Sequence, residues 1–582
     1  MNHKSISIKY IFRSLEKADQ SRYIKIVFAN LIVALLELIG IIIFTVAISA
    51  FLGGSRLISL VKTGSGNAEL LNTILDSKIE LLLFAIFLIV TKGILSVFLI
   101  KKTYLYLADL THFQTKRYLE NLSNTTWQVF KKFESSKISQ SLIDALKNRY
   151  IGVLGNFTYI LCEISIVTSI FIVLFIIDPF FFIIFVLYFF LVILLLYKKI
   201  TSRAYQLGSS ISKYENLARK RFSEFMSLQR EVFTLGKLDT FKERFLESQK
   251  EHITARAAAE INHVVPKYYI EITSMLGLCL FLSFLYIFRS YSEAIASGSV
   301  YIFGLTRLLP SFIRLQAYWA ELSKCIGSSD DHDFILKGIE SNNTQTNLYT
   351  RTNLQLDSTV LIKLKGVNFQ FPNSEEFTLA GINLDIKQKT IVAIIGESGV
   401  GKSTLCEILS GLSKPTGGEI SYRIDMLDAA GKLKPGSVVY LPQDSFIFSG
   451  SVFSNISLCF QQTEQKIAQV NNALRASAAS EFVQELELGM NTKLGDGGFT
   501  LSGGQVQRIL LARTLYANPS VVILDEPLSG IDEVTQVDIE SYVLGLKQKT
   551  AIIVVTHDRT RLDLYDEVFE ISKSEDSLRR IK

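Results

Sequence analysis

The stretch IVAIIGESGVGKST, Ile391 to Thr404, contains the residue types that hold phosphate. Its five leading apolar residues, mostly β-branched, predict a short buried strand. The turn Gly396, Glu397, Ser398, Gly399, Val400 and Gly401 follows, and Lys402, Ser403 and Thr404 open a helix. Glycines let backbone N–H groups close around phosphate oxygens where a side chain would clash. The helix N-terminus adds partial positive charge. Lys402 is suited to the β- and γ-phosphates, and the Ser403 hydroxyl to Mg²⁺. Strand, loop and helix in this order separate the pattern from a chance glycine turn and predict binding of ATP or GTP.

A second stretch, VVILDEP at Val521–Pro527, ends a buried strand on two carboxylates. Asp525 is placed to hold the magnesium water shell. Glu526 is placed to orient or deprotonate an attacking water, as phosphoryl transfer to water requires. Downstream of the phosphate loop, the pair points to nucleotide hydrolysis.

The rest of the chain must position these groups. Its 582 residues suffice for several domains. Hydrophobic residues make up 48%, phenylalanine numbers 40, and the mean hydropathy of +0.29 is high for a soluble enzyme. The net charge of +6 is spread out, which fits loops facing an anionic membrane leaflet and not a nucleic-acid footprint. Cys162, Cys279, Cys325, Cys406 and Cys459 form no C-x-x-C pair, so neither a disulfide framework nor a zinc site is expected. The basic N-terminus lacks a signal-peptide core, so the first apolar segment is expected to stay as an anchor.

Six apolar runs fall near residues 24–51, 79–100, 150–177, 180–197, 264–288 and 293–320. Each is about the ~20 residues that cross ~30 Å of hydrocarbon. Residues 101–149 and 198–263 between them are polar, helix-patterned and rich in Lys and Arg, which places them and the N-terminus in the cytoplasm. Six spans return the C-terminus to that side. Residues 335–360 are polar and aperiodic and form a linker. From 361 onward short β-branched runs alternate with helical segments, an α/β pattern with a mainly parallel sheet. The expected domains are therefore a six-helix transmembrane domain over 1–334, the linker, and an α/β P-loop nucleotide-binding domain over 361–582.

Between the two phosphate motifs lies TLSGGQVQR, Thr500 to Arg508. With LSGGQ in place, the chain resembles the ATP-binding cassette (ABC) transporters over its whole length, as an exporter-type half-transporter. The resemblance implies ATP and Mg²⁺ as cofactors and ATP hydrolysis coupled to transport. It implies that Phe371 stacks on adenine, where Tyr is usual, and that Gln443 in YLPQD touches Mg²⁺ and faces the membrane domain. Ser502, Gly503, Gly504 and Gln505 are implied to cap the γ-phosphate bound by another subunit. SGID, Ser529 to Asp532, departs from SALD but keeps the aspartate. His557 in VVTHD is implied to contact the γ-phosphate. TKLGDGG, Thr492 to Gly498, resembles the loop TEVGERG with Asp496 as a shortened acid and no arginine. One cassette whose signature acts across an interface requires a dimer. The intact hydrolytic set favours a homodimer over a heterodimer with a degenerate site.

Two segments resemble coupling elements: Asn124–Phe133, with Trp127, Phe130 and Phe133 at helical spacing, and Phe225–Phe241. Charges in spans usually mark a pathway. Glu37, Lys92, Glu163, Glu271, Arg307 and Arg314 lie within or near the spans. Arg307 and Arg314, seven residues apart around Pro310, share a helix face and suit an anionic head such as pyrophosphate. LLELIG, VVPKYYIE and RLLPSFIRL resemble the flippase of lipid-linked oligosaccharides. That resemblance implies a basic cavity including Lys267 and a small external helix near Ala68 to Leu75. The expected protein is thus a multi-pass bacterial inner-membrane exporter or flippase of an amphipathic substrate, a lipid-linked oligosaccharide or other glycolipid. Export of peptides or hydrophobic drugs is the alternative.

Overall fold

In a computed structural model the described residues are 8–51, 78–123, 127–131, 135–177, 179–288, 291–341, 357–371, 378–495, 498–527, 533–572 and 578–582. The expected external helix near Ala68 to Leu75 lies outside them, as do Asp496, Asp532 and most of the linker. The chain divides into two compact units, Met1–Thr125 with Lys132–Asn343, and Thr126–Lys131 with Thr344–Lys582.

Among the described residues of the first unit are six long helices: α1 (Lys17–Phe51), α2 (Lys78–Ser123), α3 (Gly155–Ile177), α4 (Pro179–Ser227), α5 (Leu238–Phe288) and α6 (Tyr291–Ser341). Each holds one of the six apolar runs, the third beginning in a π-helical turn, Asn148–Leu154. Helices of 46 to 51 residues are about 70–77 Å long at 1.5 Å per residue. That is more than twice the ~30 Å hydrocarbon thickness, so the polar connections of α2, α4 and α5 are continuations of the helices. Among the described residues, Lys137–Ile176 and Leu238–Phe288 are long and apolar enough to cross a membrane. α2 exposes Phe84, Phe87, Val90, Ile94, Val97 and Phe98, a surface a soluble protein would bury.

Inside the unit, phenylalanines pack together with aliphatic side chains. Phe185 meets Tyr301 at 5.5 Å between ring centroids, and Phe189 stacks on Phe312 at 5.6 Å. They join α4, α5 and α6 in one core with Phe181, Phe281 and Leu308. α4 and α6 also cross closely: a Cβ on Gly208 would lie 2.2 Å from the Lys324 carbonyl oxygen, and one on Gly327 at 2.2 Å from that of Tyr205.

The second unit is α/β. Its strands are β1 (Val360–Phe369), β2 (Leu379–Lys387), β3 (Ile391–Gly396), β4 (Gly417–Tyr422), β5 (Val438–Leu441), β6 (Gly450–Ser451), β7 (Lys493–Leu494), β8 (Val521–Asp525), β9 (Ala551–Val555), β10 (Glu567–Ile571) and β11 (Leu578–Arg580). A six-stranded sheet runs β11-β10-β3-β9-β8-β5, parallel except at the β10–β11 edge. β8 and β9 are buried throughout, as is β3 up to Gly396, so they read as continuous apolar runs. A separate antiparallel sheet, β2-β1-β4, was not foreseen from the mainly parallel pattern. The order places the C-terminal ends of β3 and β8 on either side of β9, at one sheet edge where α/β proteins bind ligands.

Candidate functional site

The phosphate loop leaves β3 and enters α7 (Lys402–Leu409). Gly401 caps α7 at φ 107°, and a Cβ there would meet Leu379 and Thr378 at 3.0–3.1 Å. Gly399 is also left-handed, at φ 78°. Both positions therefore favour glycine, and the turn keeps its backbone open. Glu397, Ser398 and Gly399 are exposed, whereas Val400 is buried beneath them. Lys402 is buried, and its Nζ donates to the carbonyl oxygens of Gly396 at 2.8 Å and Glu397 at 2.9 Å. The ammonium thus sits inside the loop.

β8 delivers the two acids. Asp525 is 5% exposed, and its Oδ2 accepts from Ser403 Oγ at 2.9 Å and from Tyr440 Oη at 2.8 Å. Burial, then the Asp525 carboxylate, pushes the Tyr440 phenol well above its ordinary pKa. Glu526 is the next residue, and its backbone turns to φ 49°. A left-handed glutamate costs about 1–3 kcal/mol, and the bond from its N–H to the Val555 carbonyl at 3.0 Å holds it. Its Oε2 accepts from Gln443 Nε2 at 2.8 Å, and its Oε1 lies 3.4 Å from His557 Nδ1. Glu526, Gln443 and His557 thus come together beside Asp525, Ser403 and Lys402. Thr404 lies one residue further along α7 and is half-buried.

Phe371 is 44% exposed and meets Phe369 edge-on at 5.1 Å. Ser502 caps α8 (Gly503–Leu515) by accepting from the Gln505 N–H, while the Gln505 side chain accepts from the Ser502 N–H at 3.0 Å. This capping box satisfies two helix-end donors and fixes the shape of the Ser502–Gln505 loop, with Ser502 and Gly503 exposed.

In the first unit, Arg314 is not a lone cation. Its Nε and Nη2 lie 2.5 and 3.1 Å from the two Glu163 oxygens, and Nη2 also reaches Ser311 Oγ at 3.1 Å. Lys267 faces Glu271, one turn on, at 3.8 Å. Arg307 and Lys92 are half-buried.

The arrangement fits a magnesium-bound nucleotide. It has a glycine-opened anion loop, a buried ammonium within it, a buried carboxylate gripped by two hydroxyls, and a second carboxylate beside it. The family model "ABC transporter" matches residues 379–529, which include all of these groups except His557, Phe371 and Asp532. The heterocyst differentiation ATP-binding protein HepA of Nostoc is 26% identical over 478 residues, 80% of this chain and 74% of that protein. Over residues 379–529 the chain carries an ABC transporter ATP-binding domain. A bacterial Atm1-family ABC exporter with ATP bound shares its fold, with a TM-score of 0.72 at 17% identity over 96% of this chain and 94% of that one. The ATP-dependent lipid A-core flippase of Alkalilimnicola ehrlichii is 33% identical over 216 residues, 36% of this chain and 37% of that protein. The chain therefore has the exporter fold, binds ATP with Mg²⁺, and couples ATP hydrolysis to export as a multi-pass membrane protein.

Tyr440 is the site residue the sequence motifs did not single out. Its position in YLPQD, three residues before Gln443, was the available signal.

Proposed function

We propose that two copies of this ABC transporter form a homodimer that moves a lipid-linked oligosaccharide or related glycolipid outward across the bacterial inner membrane, with both termini cytoplasmic. Lys402, the loop Gly396–Gly401 and Thr404 hold the phosphates, and Phe371 stacks on the base. Ser403, Asp525 and Gln443 hold Mg²⁺. Glu526 orients the attacking water, and His557 contacts the γ-phosphate. Ser502, Gly503, Gly504 and Gln505 of one copy close the site of the other. Asp532 falls in the same interface reading. The observation that carries the hydrolytic reading is Glu526 between Gln443 and His557.

The glycolipid reading rests on basic groups in the helical unit, Arg307 and Arg314 on α6, Lys267 on α5 and Lys92 on α2, and on the likeness to a lipid flippase. Arg307 carries most of it, because Glu163 already balances Arg314. That pairing also favours a second reading, a less charged substrate such as a peptide or hydrophobic drug. ATPase activity in nanodiscs, with and without a polyprenyl-pyrophosphate glycan, decides between them. The glycolipid reading predicts stimulation that Arg307→Glu abolishes while basal hydrolysis persists. Stimulation unaffected by the charge reversal, or absent in the parent, overturns it.

A further inference from the structure

β5 and β8 pair in parallel with Tyr440 opposite Ile523 and Leu441 opposite Leu524. Side chains alternate along a strand, so Asp525, two residues past Ile523, shares a face with Tyr440. The phenol crosses to the neighbouring strand and donates to Asp525 Oδ2 at 2.8 Å. Ser403 donates to the same oxygen at 2.9 Å, and neither bond falls on Oδ1. The terminal torsion of an aspartate is broad and roughly two-fold, so something must select its orientation. The Ser403 hydroxyl is the poorer choice, because its oxygen is also the metal ligand of the proposed site. The Tyr440 hydroxyl, bonded to Asp525, has no such second task in the proposed site. It also stands three residues before Gln443, which bonds Glu526 at 2.8 Å. One short segment of β5 and its exit thus holds both acids at the end of β8, Asp525 and Glu526.

We propose that Tyr440 is a positioning residue for magnesium: its phenol hydroxyl sets the Asp525 carboxylate so that the site holds Mg²⁺ with the nucleotide. This inference rests on the reading of Asp525 as the magnesium-holding acid. Outer-shell partners of this kind alter metal affinity by about 10–100-fold when removed. A loss of ring packing is avoided with Tyr440→Phe, which keeps the ring and removes only the donor.

The test uses the full-length transporter in nanodiscs. Binding of a fluorescent ATP analogue is measured in EDTA and then titrated with Mg²⁺, for the parent, Tyr440→Phe and Asp525→Asn. The expected result for Tyr440→Phe is unchanged binding in EDTA and a Mg²⁺ midpoint raised about 10–100-fold, with ATPase recovering at excess Mg²⁺. A midpoint within about threefold of the parent, well inside that range, overturns the inference, provided Asp525→Asn moves it. A matching loss of affinity in EDTA also overturns it, since that marks a structural role. A midpoint unmoved by Asp525→Asn removes the reading of Asp525 itself, and the inference falls with it.

Discussion

Glu526→Gln separates binding from hydrolysis. The amide is isosteric and still accepts from Gln443 Nε2, which lies 2.8 Å from Glu526 Oε2. It cannot take a proton from water. Lys402 bonds the carbonyls of Gly396 and Glu397, and Ser403 and Tyr440 bond Asp525, so these bonds do not pass through Glu526, and the one that does, from Gln443, is kept by the amide oxygen. General-base assistance contributes about 10²–10⁴ in rate, or about 2.7–5.4 kcal/mol of barrier. The left-handed backbone of Glu526 is retained by glutamine, so the melting temperature should stay that of the parent. Phosphate release by the purified chain should fall by that factor while retention of labelled ATP in a filter assay stays high. A variant turning over within about tenfold of the parent, short of that range, would refute the role given to Glu526.

Composite sites predict complementation. Lys402→Ala and Ser502→Arg should each silence a homodimer, whereas a co-purified mixed dimer keeps one intact site and should hydrolyse ATP well above either; no rescue would place the signature in its own chain's site. In the helical unit, Glu163→Ala should lower thermal stability, by less than the about 3–5 kcal/mol of a fully buried pair, because the Arg314 side chain is 44% exposed; the double change Glu163→Leu with Arg314→Met should recover most of the loss. Asp566 accepts from the Ile391 N–H at 2.8 Å and from Lys547 Nζ at 2.5 Å. Burial alone would raise its pKa, but these donors, the Lys547 bond foremost, hold it below the usual carboxylate range. A group with a lowered pKa stabilises the fold above its unfolded pKa and loses that contribution as pH falls through the folded value. Asp566→Asn should therefore cost about 1 kcal/mol at neutral pH, discounted for solvent screening of the ion pair. The difference from the parent should narrow as melting is followed below about pH 4. A gap that stays constant with pH would contradict the assignment.

What was legible in the sequence was local. The phosphate loop declares itself because glycine, lysine and hydroxyl must stand at fixed offsets along one strand–turn–helix. The six apolar runs declare themselves because lipid tolerates little else. What escaped was set by tertiary placement. Tyr440 reaches Asp525, 85 residues away, only because β5 lies next to β8. Glu163 reaches Arg314 across 151 residues because α3 packs on α6, a pairing that no local spacing in the sequence specifies. The antiparallel sheet escaped because Gly366 and Gly381 interrupt the alternation of β1 and β2, and the register between those strands shifts. The helical connections at 101–149 and 198–263 were seen as helical, but not as continuations of the spans, since a change from apolar to polar composition leaves helix periodicity intact.

The most direct test of the account is transport itself. The purified chain is reconstituted in proteoliposomes with a fluorescent polyprenyl-pyrophosphate glycan, and the fraction reaching the leaflet opposite the cassettes is followed by quenching after ATP addition. The account predicts ATP-dependent movement that Glu526→Gln stops and Arg307→Glu sharply slows. ATP hydrolysis at the parent rate with no net movement of the lipid would contradict it.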